Sequence, residues 1–285
     1  MSTRYAYKPG LYFGLTFLVT YALWALAYYV NAQGAKGLSI LVGIAGMLIP
    51  FVISLIMIFS SGNPALKQDF INRLINLGLI QPKMLPTFFL IMPLSVVAAI
   101  LLSLPFGGSP AQFQIAGGFS FSTGAVPVLL FLALAACFEE LGWRGYGFES
   151  LQSRYTYLTA ALIFSLLWSI WHIPLIFAEG QYAYELWNQN IWYAVNYFVS
   201  FIPLGIIVSW LCIKNHKSIL AAVLFHFLIN IFQELFSITQ TTKSIETLVL
   251  AAVAICIVIY DKDLFFSKTH FDTREGHQLS PAAAR

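Results

Sequence analysis

Eight apolar runs dominate this sequence, near 10–30, 38–60, 86–105, 125–145, 158–177, 192–213, 218–236 and 245–260. A helix needs about 20 residues to cross a hydrocarbon core, and these runs meet or approach that length. Lipid offers no partner to a backbone N–H or C=O, so each run must close its own hydrogen bonds as a helix; the alternation of a membrane β-barrel is absent. Composition agrees: 59% of the 285 residues are hydrophobic and 9% charged, against about 25% charged in a soluble domain, and mean hydropathy is +0.78. The predicted fold is all-α, a polytopic membrane protein with eight transmembrane helices in one domain over 1–260 and a polar tail over 261–285.

The basic residues orient this bundle. With a cytoplasmic N-terminus, Arg4, Lys8, Lys67, Arg73, Lys83, Arg144, Arg154, Lys214, Lys217, Lys262, Lys268, Arg274 and Arg285 fall inside, and only Lys36 and Lys243 fall outside. Both termini are therefore predicted to be cytoplasmic. The first run is long and aromatic and no small-residue cleavage site follows it, so it reads as a span rather than a removable leader. Between the second and third runs, residues 64–84 are amphipathic, with Phe70, Leu74 and Ile75 near helical spacing, as in a segment lying along the interface. The uncharged GGSPAQFQIAGGFSFSTG stretch at 107–124 reads as a flexible loop. Cys137, Cys212 and Cys256 lie within apolar runs and form no disulfide framework. No basic run with interleaved aromatics points to nucleic acid.

Ionisable groups inside a bilayer are expensive and mark function by default. The fourth run contains AACFEELGWRGYGFES. Glu140 and Arg144 are four apart and can pair on one helical face, whereas Glu139 points about 100° away and is left to face a cavity. A desolvated carboxylate there suits a general base; the plainer alternative is that both glutamates sit at the interface. His172 lies deep in the fifth run, one turn after Trp168, and His226 and Asn230 in the seventh project into one groove. By helical rise, Glu139 lies roughly 9 Å and His226 roughly 12 Å from the cytoplasmic ends of their spans, while His172 comes out near 21 Å. That mismatch requires a later entry, a tilt or a bend near Pro174.

Glu-Glu-x-x-x-Arg at 139–144, a histidine after an aromatic in the fifth run, and His-x-x-x-Asn at 226–230 together resemble the three motifs of the CAAX protease and bacteriocin-processing (Abi) family of intramembrane proteases, which includes the Ras-converting CAAX endopeptidases. The resemblance covers about half the chain. It departs from the family at Trp168, where Phe is usual. It implies an intramembrane endopeptidase in which Glu139 and His172 activate water, His226 and Asn230 stabilise the oxyanion, and Glu140 and Arg144 brace the base. On the CAAX branch it implies removal of the C-terminal tripeptide from prenylated proteins in the lipid bilayer, without a cofactor, at a site opening toward the cytoplasmic side.

Three other readings stay open on the residues alone. Glu139, His172 and His226 could ligate zinc, although no His-Glu-x-x-His motif is present and Asn is a poor zinc ligand. Cys137 as a nucleophile is disfavoured by its place on nearly the opposite helix face from Glu139. A proton-coupled transporter would also use intramembrane Glu and His, but it predicts related halves that are not visible.

Overall fold

The computed structural model describes residues 5–118 and 128–267. The described chain forms α1 (Pro9–Ala32), α2 (Lys36–Phe59), α3 (Pro64–Ile75), α4 (Leu85–Ser103), α5 (Val128–Gly142), α6 (Phe148–Gln152), α7 (Tyr157–Trp171), α8 (Tyr182–Gln189), α9 (Ile191–Lys214), α10 (Ile219–Leu235), α11 (Gln240–Tyr260) and α12 (Lys262–Phe266). Apart from one bridge between Ile115 and Phe236, no strand pairing occurs among the described residues. Six helical segments, 9–32, 36–59, 82–106, 157–177, 191–214 and 240–260, are long and apolar enough to cross a membrane. α10 is apolar but only 17 residues long. Each of the eight runs is helical where it is described, and among the described residues six segments meet the length of a full span.

The boundaries follow local chemistry. Asn63, Thr156, Asn190, Ser218 and Thr239 each accept a backbone N–H at the start of α3, α7, α9, α10 and α11, which satisfies donors that a helix start leaves open. Pro50 inside α2 has no N–H for the Gly46 carbonyl; Thr20 Oγ1 donates to that carbonyl at 3.2 Å, and Tyr12 Oη donates to the Pro50 carbonyl at 3.2 Å. A neighbouring helix thus replaces the missing intrahelical bond, as lipid requires. Helices approach closely where side chains are small. A Cβ on Gly142 would strike the Pro50 backbone, and one on Gly205 would strike Ser165, so α5 meets α2 and α9 meets α7 at glycine.

α5 does not stop at Gly142. A π turn over Trp143–Gly147 carries it into α6, giving one rod that ends at Gln152. α3 packs one face onto that rod: Leu66, Phe70 and Arg73 are buried. Arg73 Nη1 and Nη2 donate to the carbonyls of Arg144 (2.9 Å) and Gly145 (3.1 Å) in the π turn. Its Nε donates to Asp69 at 2.8 Å, and Glu149 lies 3.9 Å away. Burial alone would lower the Arg73 pKa, but Asp69 and then Glu149 outweigh it and push the value up, so this guanidinium stays charged where it binds.

Two further expectations change. The polar tail does not begin at 261, because α12 buries Phe265 against Tyr157 with ring centroids 5.5 Å apart. The expected loop at 107–124 is anchored as far as it is described: Gln112 is buried, donates to Ser103 Oγ (3.1 Å), and accepts from Thr239 N (3.0 Å) and Thr242 Oγ1 (2.6 Å). Residues 119–124 and 268–285 lie outside the described residues.

Candidate active site

The α5–α6 rod and α10 run antiparallel, and two polar pairs fix their register. At the end that holds α3, Lys217 Nζ meets Glu149 Oε2 at 2.7 Å. Nine residues after Lys217 and nine before Glu149 in sequence, His226 Nδ1 meets Glu140 Oε1 at 3.0 Å. The other Glu140 oxygen lies 2.9 Å from Arg144 Nη1; the pair is close but not aligned as a hydrogen bond, and Arg144 also stacks over the Phe164 ring at 4.2 Å. Glu140 and Arg144 are fully buried behind the cavity wall.

Glu139, one residue earlier, faces the other way. Its Oε2 accepts from the indole N–H of Trp168 at 2.9 Å and of Trp143 at 3.3 Å. The sequence left Glu139 without a partner; the fold supplies two neutral donors on one oxygen. Trp168 also touches both histidines, with ring centroids 6.2 Å from His172 and 5.2 Å from His226. A Phe at this position would make the ring contacts but not the hydrogen bond.

Hydrogen-bond partners define the imidazole tautomers. His172 Nδ1 lies 2.9 Å from the Trp168 carbonyl, which can only accept, so Nδ1 carries the proton and Nε2 has a lone pair. His226 Nδ1 faces a carboxylate and donates to it, which again leaves Nε2 for the cavity. Asn230 lies one turn beyond His226. Glu139, Trp168, His172, His226 and Asn230 all line one cavity of about 1120 Å³, larger than the roughly 300–1,000 Å³ of a drug-sized ligand pocket. Cys137 is not among its lining residues.

The depth mismatch of His172 disappears with the longer rod. Glu139 lies about 20 Å from the rod's end at Gln152, and His172 about 22 Å from the start of α7. His226 is nearer the start of its own helix because the α9–α10 turn is drawn inward, with Asn215 fully buried and its Oδ1 accepting from Gln81 N at 2.7 Å.

The cavity runs from this level to the end of the bundle that carries Asn31, Lys36, Glu179, Tyr182 and Lys243. That is the end opposite to α3, Lys67, Lys214 and Lys217. The sequence-based expectation put both the termini and the mouth of the site on the cytoplasmic side. Both expectations treated the site as close to the α3 end; the rod's extension to Gln152 moves it away.

Among the described residues, no three His, Cys, Asp or Glu side chains are grouped as a metal site. Sequence reasoning missed Trp143, which lies four residues after Glu139 and hence on its face. It also missed Glu246, a buried carboxylate in α11 that accepts from Gln233 Nε2 at 3.1 Å; its signal was an acid inside the last apolar run.

Residues 120–232 match the model of the Type II CAAX prenyl endopeptidase Rce1-like family. The chain is 55% identical over 269 residues to CAAX prenyl protease 2 of Methanococcus maripaludis, covering 94% of this chain and 99% of the relative. The motif residues, their convergence on one cavity and this near full-length identity agree, and the chain belongs to the Rce1-like family of type II CAAX prenyl endopeptidases.

Proposed function

We propose that this CAAX-type endopeptidase hydrolyses its peptide bond with a water activated by Glu139 and His172, without a metal, while His226 and Asn230 hold the oxygen that becomes negative. The observation that carries the reading is the division between the adjacent carboxylates. Glu139 faces the cavity with both hydrogen bonds on Oε2, and Glu140 is withdrawn behind it against His226 and Arg144. Glu139 takes a proton from water as the hydroxide adds to the carbonyl carbon. The tetrahedral oxygen is met by Asn230 Nδ2 and by a protonated His226 Nε2, whose charge Glu140 balances. Collapse breaks the C–N bond, and the proton held on Glu139 passes to the leaving amine. A positioned base contributes about 10²–10⁴ in rate and each oxyanion donor about 10²–10³.

The substrate proposed is a protein whose C-terminal C-a-a-X cysteine carries an isoprenoid, cleaved after that cysteine. The test is cleavage of a farnesylated C-a-a-X peptide by the purified chain, with and without chelator. Glu139→Ala should lower kcat by at least about a hundredfold with unchanged thermal stability in detergent, and chelator should have no effect. Full activity in Glu139→Ala, or loss on chelation restored by zinc, would overturn the mechanism.

All eight apolar runs cross the membrane in this reading, with α5 and α10 as the short spans around the site. Prenylated proteins are made and modified in the cytoplasm, so this substrate calls for a cytoplasmic mouth, with α3, the start of α1 and the end of α12 on the other side. This opposes the bias of the basic residues, four of which (Arg73, Arg144, Lys214 and Lys217) are held in ion pairs with acids. Single cysteines at Gly180 and at Gly62, in a background lacking Cys137, Cys212 and Cys256, separate the two orientations. An impermeant thiol reagent applied to intact cells should label position 62 and spare position 180; the reverse pattern would return the termini to the cytoplasm.

A further inference from the structure

Lys36 and Lys243 are the only Lys or Arg residues among the described residues lining the cavity, beside the acids Glu139, Glu179 and Glu234. Lys36 is exposed at the rim. Lys243 is half-buried on the first turn of α11, and its position is built. Tyr182 Oη donates to Gln240 Oε1 at 3.1 Å and accepts from Lys243 Nζ at 2.8 Å, while the ammonium also lies 4.7 Å from the Tyr182 ring centroid. An ammonium has three donors, so further acceptors can be bound without breaking this support.

Its distance from the chemistry follows from helix register. Gln233 of α10 and Glu246 of α11 are level, joined by the 3.1 Å hydrogen bond. Asn230 is one turn from Gln233 away from the mouth, and Lys243 is one turn from Glu246 toward the mouth. The two turns together place Lys243 about 9 Å mouthward of Asn230. Three extended residues span about 10 Å.

On the reading of function above, we propose that Lys243, held by Tyr182, binds the free α-carboxylate of the substrate. It acts as a binding residue that measures the length of the departing tail: with the carboxylate on Lys243, the bond three residues back lies at Asn230 and His226. The surrounding acids repel a chain end from the rest of the cavity. A tail of another length, or one without a terminal charge, loses this anchor.

The test compares three farnesylated peptides: one ending in the free acid of the C-a-a-X tetrapeptide, its C-terminal amide, and the free acid lengthened by two residues. Wild type should cleave the first about ten- to a hundredfold better than the other two, through KM, the range of one charge-assisted hydrogen bond. Lys243→Met should remove that preference, and Lys243→Arg should retain most of it. Equal cleavage of acid and amide by wild type overturns the proposal and leaves the reading of function intact; this arm decides even if Lys243→Met does not fold. A preference that survives in Lys243→Met, or one that is lost in Lys36→Met instead, also overturns it. No cleavage of any peptide by wild type overturns the reading of function and this proposal with it.

Discussion

The two ends of this bundle are made from the same apolar helices but hold their polar residues in different ways. At the α3 end, acids and bases neutralise one another inside the fold: Arg73 with Asp69 and Glu149, Lys217 with Glu149, Lys214 with Asp261. At the α8 end, Glu139, His172, Asn230 and Lys243 surround a cavity. A charge buried in low dielectric must be paired or solvated. The first end uses pairing; the second turns its polar atoms toward the cavity. The Glu139–Glu140 pair sits at the junction, with one carboxylate serving each side.

The largest effect expected from disturbing that junction is in Glu140→Ala. It leaves Arg144 buried and unpaired, which costs about 3–5 kcal/mol, and releases His226 Nδ1. Thermal unfolding in detergent and peptide cleavage should both suffer, whereas Glu139→Ala should affect cleavage alone. Equal stability of the two variants would dissolve the distinction between the two sides.

A smaller effect is expected in Trp168→Phe, which keeps the ring between the histidines and removes the 2.9 Å bond to Glu139. A hydrogen bond to a charged group is worth about 1.5–3 kcal/mol, so kcat should fall roughly ten- to a hundredfold with little change in unfolding temperature. Unchanged kcat would show that the Glu139 orientation does not depend on this indole.

The smallest effect is expected in Thr20→Val, away from the junction. It leaves the Gly46 carbonyl at the Pro50 break without its donor and should cost about 1 kcal/mol of stability, with cleavage unchanged. A loss of activity there would mean that the α2 bend sets the shape of the cavity.

The helices were legible because their cause is local. Each apolar run has to satisfy its own backbone in lipid, and the i, i+4 spacing of Glu140 and Arg144 was enough to pair them. The sequence did not reveal how far α5 continues, since WRGYG combines two glycines with an arginine and reads as an end. The arginine is retained in the rod because Phe164, from another helix, covers it, and Arg73 caps the π-turn carbonyls from α3. Glu246 escaped notice because its partner Gln233 lies on a different helix.

Along the chain one could read an all-helical membrane protein, the polar residues Glu139, His172, His226 and Asn230 that line its cavity, and the family resemblance they carry. Transfer energy and helical period act within a few residues, so they can be read along the chain. Tertiary contacts were needed to show that Glu140 meets a histidine 86 residues away, that Glu139 rests on two indoles, and that the cavity lining extends to the end away from α3. Those outcomes depend on the register and crossing of helices, and register is set by contacts such as Lys217 with Glu149 and Gly142 with Pro50, between residues remote in sequence.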